Sequence, residues 1–402
     1  MELLTPAIKA HLGNSSWIRR MFEAGIELKK KYGAENVFDY SLGNPDIPAP
    51  EVVKTAMTDL AEHALDPFAL GYMPNAGLPE VRAALAAKLG KEQGVEVGGE
   101  KVLVTCGAAG GINVFFRAVL SAGDEVLCPA PYFVEYGFYA ENYGGILKSV
   151  PCKEDFTLDI AAMDAAITPK TRAVIINSPN NPTGQIYSAE EINALAEVLR
   201  KHSAANGRVI YLISDEPYRF LNFDGVEIPS MFKAYDATVV IGSFSKNLSL
   251  AGERIGFIGV NPALENGQEL MAGLIMCNRI LGFVNAPVVA QKLILQCMDS
   301  EVDLNIYRRR RDKMAKVLKD AGLEFTMPRG AFYFFPKSPT ADESVFINAL
   351  VEQRVLAVPG RGFGMPGYFR LAFCSISEEA IEKSADSFKR AVESVRGGTA
   401  NA

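Results

Sequence analysis

The chain has 402 residues, with 41 Lys and Arg against 47 Asp and Glu for a formal net charge of −6; hydrophobic residues make up 49% and charged residues 22%. That balance excludes intrinsic disorder, which needs low hydrophobicity with high charge, and 35 Gly with 22 Pro in no regular period exclude collagen-like and low-complexity classes. At roughly 150 residues per domain the length predicts two or three domains, and a mildly acidic chain argues against nucleic acid as a partner.

The predicted elements alternate through the middle of the chain. Lys101–Thr105 reads as a strand, followed by an Ala/Gly turn and an amphipathic helix over Ile112–Leu120. Glu125–Cys128 is a second strand, followed by a helical pattern over Tyr132–Tyr143. Arg172–Asn177 is a third, and the Ser188-Ala189-Glu190-Glu191 start after its Pro/Asn turn is a capping-box signature. Val209–Ser214 and Thr238–Ser243 complete the set. Continuous β-branched runs without alternation suit strands buried on both faces, so the expected class is α/β, doubly wound.

After about Asn261 the pattern changes. A long helical segment over Glu269–Ala321 breaks near Asn285-Ala286-Pro287, and Leu323–Met327 with Ala331–Phe335 reads as a hairpin around Pro328-Arg329-Gly330. A helix over Glu343–Gln353, strands Leu356–Val358 and Phe369–Cys374, and a final helix from Glu378 describe a smaller α+β unit, and the tail from Gly397 is expected to fray. The run Arg308–Arg311 sits in a helical pattern with Asp303 and Asp312 and reads as a solvated helix face.

Six cysteines without a Cys-x-x-Cys pair, and three histidines far from one another, predict reduced thiols and no metal site. No apolar run approaches the ~18 residues of a membrane span. The first residues, Met1–Pro6, lack a basic stretch before an apolar core, so no signal peptide, no membrane contact and a cytoplasmic location are expected.

Ligands of open α/β sheets sit at the carboxyl ends of strands, and four strand ends here are chemically unusual. The first runs into Cys106-Gly107-Ala108-Ala109-Gly110-Gly111, which opens a helix. The third runs into Asn177-Ser178-Pro179-Asn180-Asn181-Pro182-Thr183-Gly184. The Val209 strand ends at Ser214-Asp215-Glu216-Pro217-Tyr218, and the last at Ser243-Phe244-Ser245-Lys246-Asn247, with Arg254 beyond. Singly, each is ordinary turn, cap or surface chemistry. Together and in this order they are specific.

They resemble the pyridoxal-phosphate-dependent aminotransferases of fold type I, class I/II, the group that includes aspartate, aromatic and alanine aminotransferases. The resemblance runs from about Phe38 to the final helix. It implies a large cofactor-binding domain (46–290) with a mostly parallel seven-stranded sheet between helices. A smaller α+β domain (291–402) is implied as well, with an N-terminal arm (1–45) packed on it.

A lysine amine forms a Schiff base with an aldehyde when burial or nearby cations lower its pKa. Lys246 matches the lysine that does so in the family, and once displaced by substrate its amine serves as general base. Asp215 matches the carboxylate that keeps the cofactor ring nitrogen protonated. Tyr218 and Asn181 match the pair bonded to the ring's phenolic oxygen, and Tyr132 resembles the aromatic stacked on the ring, with an ordinary core tyrosine as the competing reading.

For the phosphate, Gly107, Ala108 and Ala109 supply backbone donors at a helix start, joined by Ser243, Ser245 and the fork of Arg254. Tyr72, in Gly71-Tyr72, resembles the tyrosine that reaches this phosphate from a partner subunit, which implies a homodimer with shared active sites. Arg370 matches the arginine for the substrate α-carboxylate, and Gly43 the loop that closes over the substrate.

Some relatives carry a lysine for a distal carboxylate where this chain has Ala109, and Ala108 replaces a usual Ser or Gly. Arg19, Arg20, Arg279 and Arg361 remain as distal-carboxylate candidates. The implied activity is transfer of an amino group from an L-amino acid to a 2-oxo acid. Aspartate, another dicarboxylic or an aromatic amino acid with 2-oxoglutarate are the candidate pairs. A C–S β-lyase, decarboxylase or cyclopropane-forming synthase on the same scaffold shares Lys246 and Arg370 and stays open. A regulator that keeps the fold is a third reading, although the residues ahead of the motifs are not notably basic.

Overall fold

The computed structural model describes the backbone of residues 3–13 and 17–398, and the side chains of these stretches except 13, 17–20, 22 and 398. The strands in chain order are β1 (Phe38–Asp39), β2 (Val102–Thr105), β3 (Glu125–Ala130), β4 (Ile146–Pro151), β5 (Thr171–Asn177), β6 (Tyr211–Asp215), β7 (Thr238–Ser243), β8 (Gly256–Val260), β9 (Tyr333–Phe334), β10 (Val355–Leu356), β11 (Val358–Pro359) and β12 (Phe369–Ala372).

Seven of them form one sheet in the order β2-β8-β7-β6-β5-β3-β4. The pairs from β4 across to β7 are parallel. β8 runs antiparallel to both β2 and β7. Its direction follows from its connection: β7 returns as β8 through the loop that carries Lys246 and Arg254, with no helical crossover between them. Residues of β2, β3 and β6 are buried along their whole length, as expected of strands covered on both faces. The helix Ala189–Asn206 that follows β5 carries a complete capping box from Ser188 and Glu191 and ends at Gly207 in the left-handed conformation.

Two main cores form. The first surrounds the sheet and draws its buried residues from Val53 through Met298. The second takes Met21, Phe38 and Tyr40 from the N-terminal segment, Tyr218, Leu221 and Phe223 from the loop after β6, and residues from Val302 to Val392. β1 pairs in parallel with β10, which ties the N-terminal segment to the C-terminal part.

Several sequence expectations are corrected. The long helical segment is three helices, Gly267–Ile280, Val288–Cys297 and Leu304–Asp320. Residues 323–327 form no strand; β9 instead pairs antiparallel with β12, and β12 with β11. The turn is drawn elsewhere: the Arg329 and Gly330 amides both donate to the Gly184 carbonyl, and Gly330 bridges Asn222. The arginine run is only half solvated. Arg310 and Arg311 are 7% and 6% exposed. Arg310 grips Asp46 with both nitrogens at 2.7 and 3.0 Å, and Arg311 reaches Asp224 at 2.9 Å. Carboxylates from distant segments make those burials tolerable. Residues 399–402 of the expected frayed tail lie outside the described residues.

Candidate active site

The four unusual strand ends converge on one cavity of about 300 Å³, lined by Lys246, Asp215, Asn181, Tyr218, Arg254 and Arg370 among others. Asp215 closes β6 beside Asn177 at the end of β5, and the two are register partners. Asn177 donates to the Asp215 carbonyl at 2.8 Å and accepts the Asn181 amide at 2.6 Å, which fixes the neighbouring loop. The Asp215 carboxylate is buried; Tyr136 donates to Oδ2 at 2.5 Å, and Oδ1 has no partner. Burial pushes its pKa up to about 7, against the opposing Tyr136 bond and with a smaller push from Glu216.

Lys246 follows β7, and its ammonium donates to the Gly43 carbonyl at 2.7 Å. Burial pulls its pKa down; Cys374 opposes this, while Arg370 and Arg254 add to it.

The helix Gly107–Val119 starts at the cavity, with Ala108 and Ala109 in its wall. A Cβ on Gly256 would lie 2.7 Å from the Gly107 carbonyl carbon and 2.9 Å from the Ala108 nitrogen, so glycine there lets the helix start sit against β8. Arg254 adopts the left-handed conformation (φ 51°), uncommon for a side chain of its size, and joins Ser243 and Ser245 in the lining.

Arg370, on β12, is buried. Its nitrogens donate to Asn181 Oδ1 at 3.2 Å and to the Ser41 carbonyl at 2.7 Å. Nε is left unpartnered. The rings of Tyr333 and Phe363 each face its guanidinium at 4.8 Å. Burial lowers its pKa, offset by Tyr333, Tyr218 and Cys374.

Three predicted residues lie outside the lining: Gly107, which precedes Ala108 beside the Arg254 guanidinium, Tyr132 and Tyr72. Tyr132 is outside the lining, with its amide bonded to the Phe363 carbonyl and its ring beside Gly364; the adjacent Phe133 lines the cavity instead. Tyr72 is 94% exposed and sits by Phe283, Val284 and Asn285, apart from the cavity within one chain. Arg279 and Arg361 do not line the cavity, and Arg361 is paired with Asp342 and Glu343. The side chains of Arg19 and Arg20 lie outside the described residues. Sequence reasoning missed Phe133, Tyr136, Tyr139, Asn177 and Tyr333. Asn177 alone carried a signal, as the polar end of a buried strand in step with Asp215. Among the described residues, no cluster of His, Cys, Asp and Glu fits a metal ion, and no helix is long and apolar enough to cross a membrane.

Residues 35–388 match the family described as aminotransferase class I and II. A probable aspartate/prephenate aminotransferase of Aquifex aeolicus is 32% identical over 380 residues, covering 90% of this chain and 92% of its own length. The aromatic-amino-acid aminotransferase 2 of Thermococcus litoralis is 30% identical over 394 residues, covering 94% and 96%. Among solved structures, an amino transferase from Eubacterium rectale has a TM-score of 0.93 at 39% identity, covering 98% of this chain and 99% of that one. Aspartate aminotransferase from Thermus thermophilus with maleate has a TM-score of 0.86 at 30% identity, covering 97% and 100%. The chain therefore belongs to the class I and II aminotransferases and is a pyridoxal-phosphate-dependent transaminase.

Proposed function

We propose that Lys246, Asp215 and Arg254 hold pyridoxal phosphate in the 300 Å³ cavity and that Arg370 takes the carboxylate of an L-amino acid or a 2-oxo acid. The observation that carries this reading is the convergence of a half-buried amine, a buried carboxylate with one empty acceptor oxygen and a buried guanidinium on a single cavity.

The residues fit the cofactor. A protonated ring nitrogen is the donor that Asp215 Oδ1 lacks, and a cation there favours the ionised carboxylate. Arg254 and the helix start at Gly107–Ala109 suit a phosphate. Pyridoxal phosphate supplies the aldehyde that accepts the amino group and the conjugated ring that takes up electrons from the substrate's Cα–H bond.

The remaining work falls to side chains. Lys246, with its pKa lowered by burial, keeps a larger share of free amine near neutral pH and takes the proton from the substrate Cα. Without the cofactor the Gly43 carbonyl accepts from Nζ, which sets the amine at the cavity. Arg370, held by Asn181 and Ser41, presents a planar fork to the α-carboxylate. Tyr218 and Asn181 line the wall between these groups and serve the ring's phenolic oxygen.

The active unit is a homodimer. Leu65 and Phe68 are 97% and 93% exposed beside the exposed Tyr72, an apolar run that a second copy covers while Tyr72 reaches the neighbouring phosphate. The relatives' names support aspartate or an aromatic amino acid as donor, and 2-oxoglutarate is the acceptor we propose with it. A half-reaction screen tests the assignment: loaded enzyme is mixed with one amino acid at a time, without acceptor. The expected result is loss of the cofactor's visible absorption and release of one equivalent of 2-oxo acid. Continuous release of pyruvate and ammonia would replace the transaminase reading by a lyase.

A further inference from the structure

Tyr333 belongs to no motif identified in the sequence, yet it touches three parts of the site. It is 2% exposed and lines the cavity. Its hydroxyl lies 2.9 Å from the Tyr218 hydroxyl, and the two rings meet edge to face at 5.7 Å. Its ring faces the Arg370 guanidinium at 4.8 Å. A Cβ on Gly43 would lie 2.3 Å from its hydroxyl oxygen, so the closing loop is shaped around it.

We propose, resting on the active-site reading above, that Tyr333 is a positioning residue whose hydroxyl turns the Tyr218 proton toward the cofactor's phenolic oxygen. A bond between two hydroxyls has one donor. Among the described residues neither hydroxyl has another hydrogen-bond partner. When Tyr333 donates, the Tyr218 proton is freed for the cavity, and the accepted bond polarises Tyr218 into a stronger donor. In the reverse arrangement Tyr218 spends its proton on Tyr333 and has none for the cofactor. The charged and titratable groups around the pair are Arg370 and Asp215 on Tyr218, and Arg370 and Cys374 on Tyr333. Burial keeps both phenols neutral at working pH.

The test is a pH titration of the bound cofactor's visible absorption in the parent holoenzyme, Tyr333→Phe, Tyr218→Phe and the double variant. Weaker donation leaves negative charge on the phenolic oxygen less stabilised, so the adjacent proton is held more tightly. Tyr333→Phe is expected to raise the midpoint by about half a unit, and the double variant to titrate like Tyr218→Phe. An unchanged midpoint with only a lowered melting temperature would reduce Tyr333 to packing and overturn the proposal. So would a shift that persists undiminished in the Tyr218→Phe background. A parent enzyme with no cofactor absorption would remove the active-site reading itself, a separate and recognisable failure.

Discussion

Asp215 stores free energy that only the cofactor can release, and Asp215→Asn exposes it. In the cofactor-free chain the carboxyl is buried with one unpartnered oxygen, and its pKa rises from 3.8 to about 7. A folded pKa above the unfolded one means that stability is fully present below pH 3.8 and is lost as pH rises through about 7. At 1.36 kcal/mol per unit the full loss is about 4 kcal/mol above pH 8, and about 2 kcal/mol near pH 5.5. Asparagine is the neutral isostere of the protonated acid and still accepts the Tyr136 hydroxyl. The variant apoprotein is therefore expected to be more stable than the parent by these amounts, with the advantage vanishing below pH 4. Urea unfolding of both apoproteins at pH 5.5 and 8.5 measures it. Adding pyridoxal phosphate should reverse the order, because only the parent gains an ion pair. A stability difference that does not change between the two pH values, or a parent more stable at pH 8.5 without cofactor, would refute the burial argument.

Other substitutions probe the remaining contacts. Arg370→Lys keeps the charge but loses the fork, so kcat/KM for the 2-oxo acid should fall about 100-fold while the cofactor absorption is unchanged. Gly43→Ala drives a methyl into the Tyr333 hydroxyl; steady-state kinetics should show kcat/KM down about tenfold with cofactor affinity retained. Arg310→Met strips Asp46 and the Cys374 carbonyl of their shared partner, and denaturant unfolding should register a loss of about 2 to 3 kcal/mol. Tyr72→Phe should weaken cofactor affinity about tenfold in equilibrium dialysis without changing the sedimentation coefficient of the protein.

What the sequence disclosed depended on the range of the forces involved. β2, β3, β5, β6 and β7 were legible because a strand buried on both faces must be a continuous apolar run, and the capping box at Ser188 because it is completed within four residues. β4 was missed because it is an edge strand, with Lys148 and Ser149 set into a half-exposed run. β8 was hidden in Gly256–Val260, where two glycines stand in five residues. The choice between Tyr132 and Phe133 turns on which of two adjacent aromatics faces the cavity, and no periodicity decides that. The same holds for Tyr333 within the run Phe332–Phe335. Arg310 and Arg311 are buried because Asp46 and Asp224, far away in the chain, arrive to pair with them, a contact no local pattern encodes.

The claim on which the rest depends is that Lys246 carries the cofactor. Borohydride reduction of the loaded enzyme, followed by peptide mapping by mass spectrometry, fixes pyridoxal phosphate to whichever amine it is joined to. The added mass is expected on the peptide containing Lys246 and on no other. Label on a different lysine, or a Lys246→Ala variant that still takes up the label at one stoichiometric site, would contradict it.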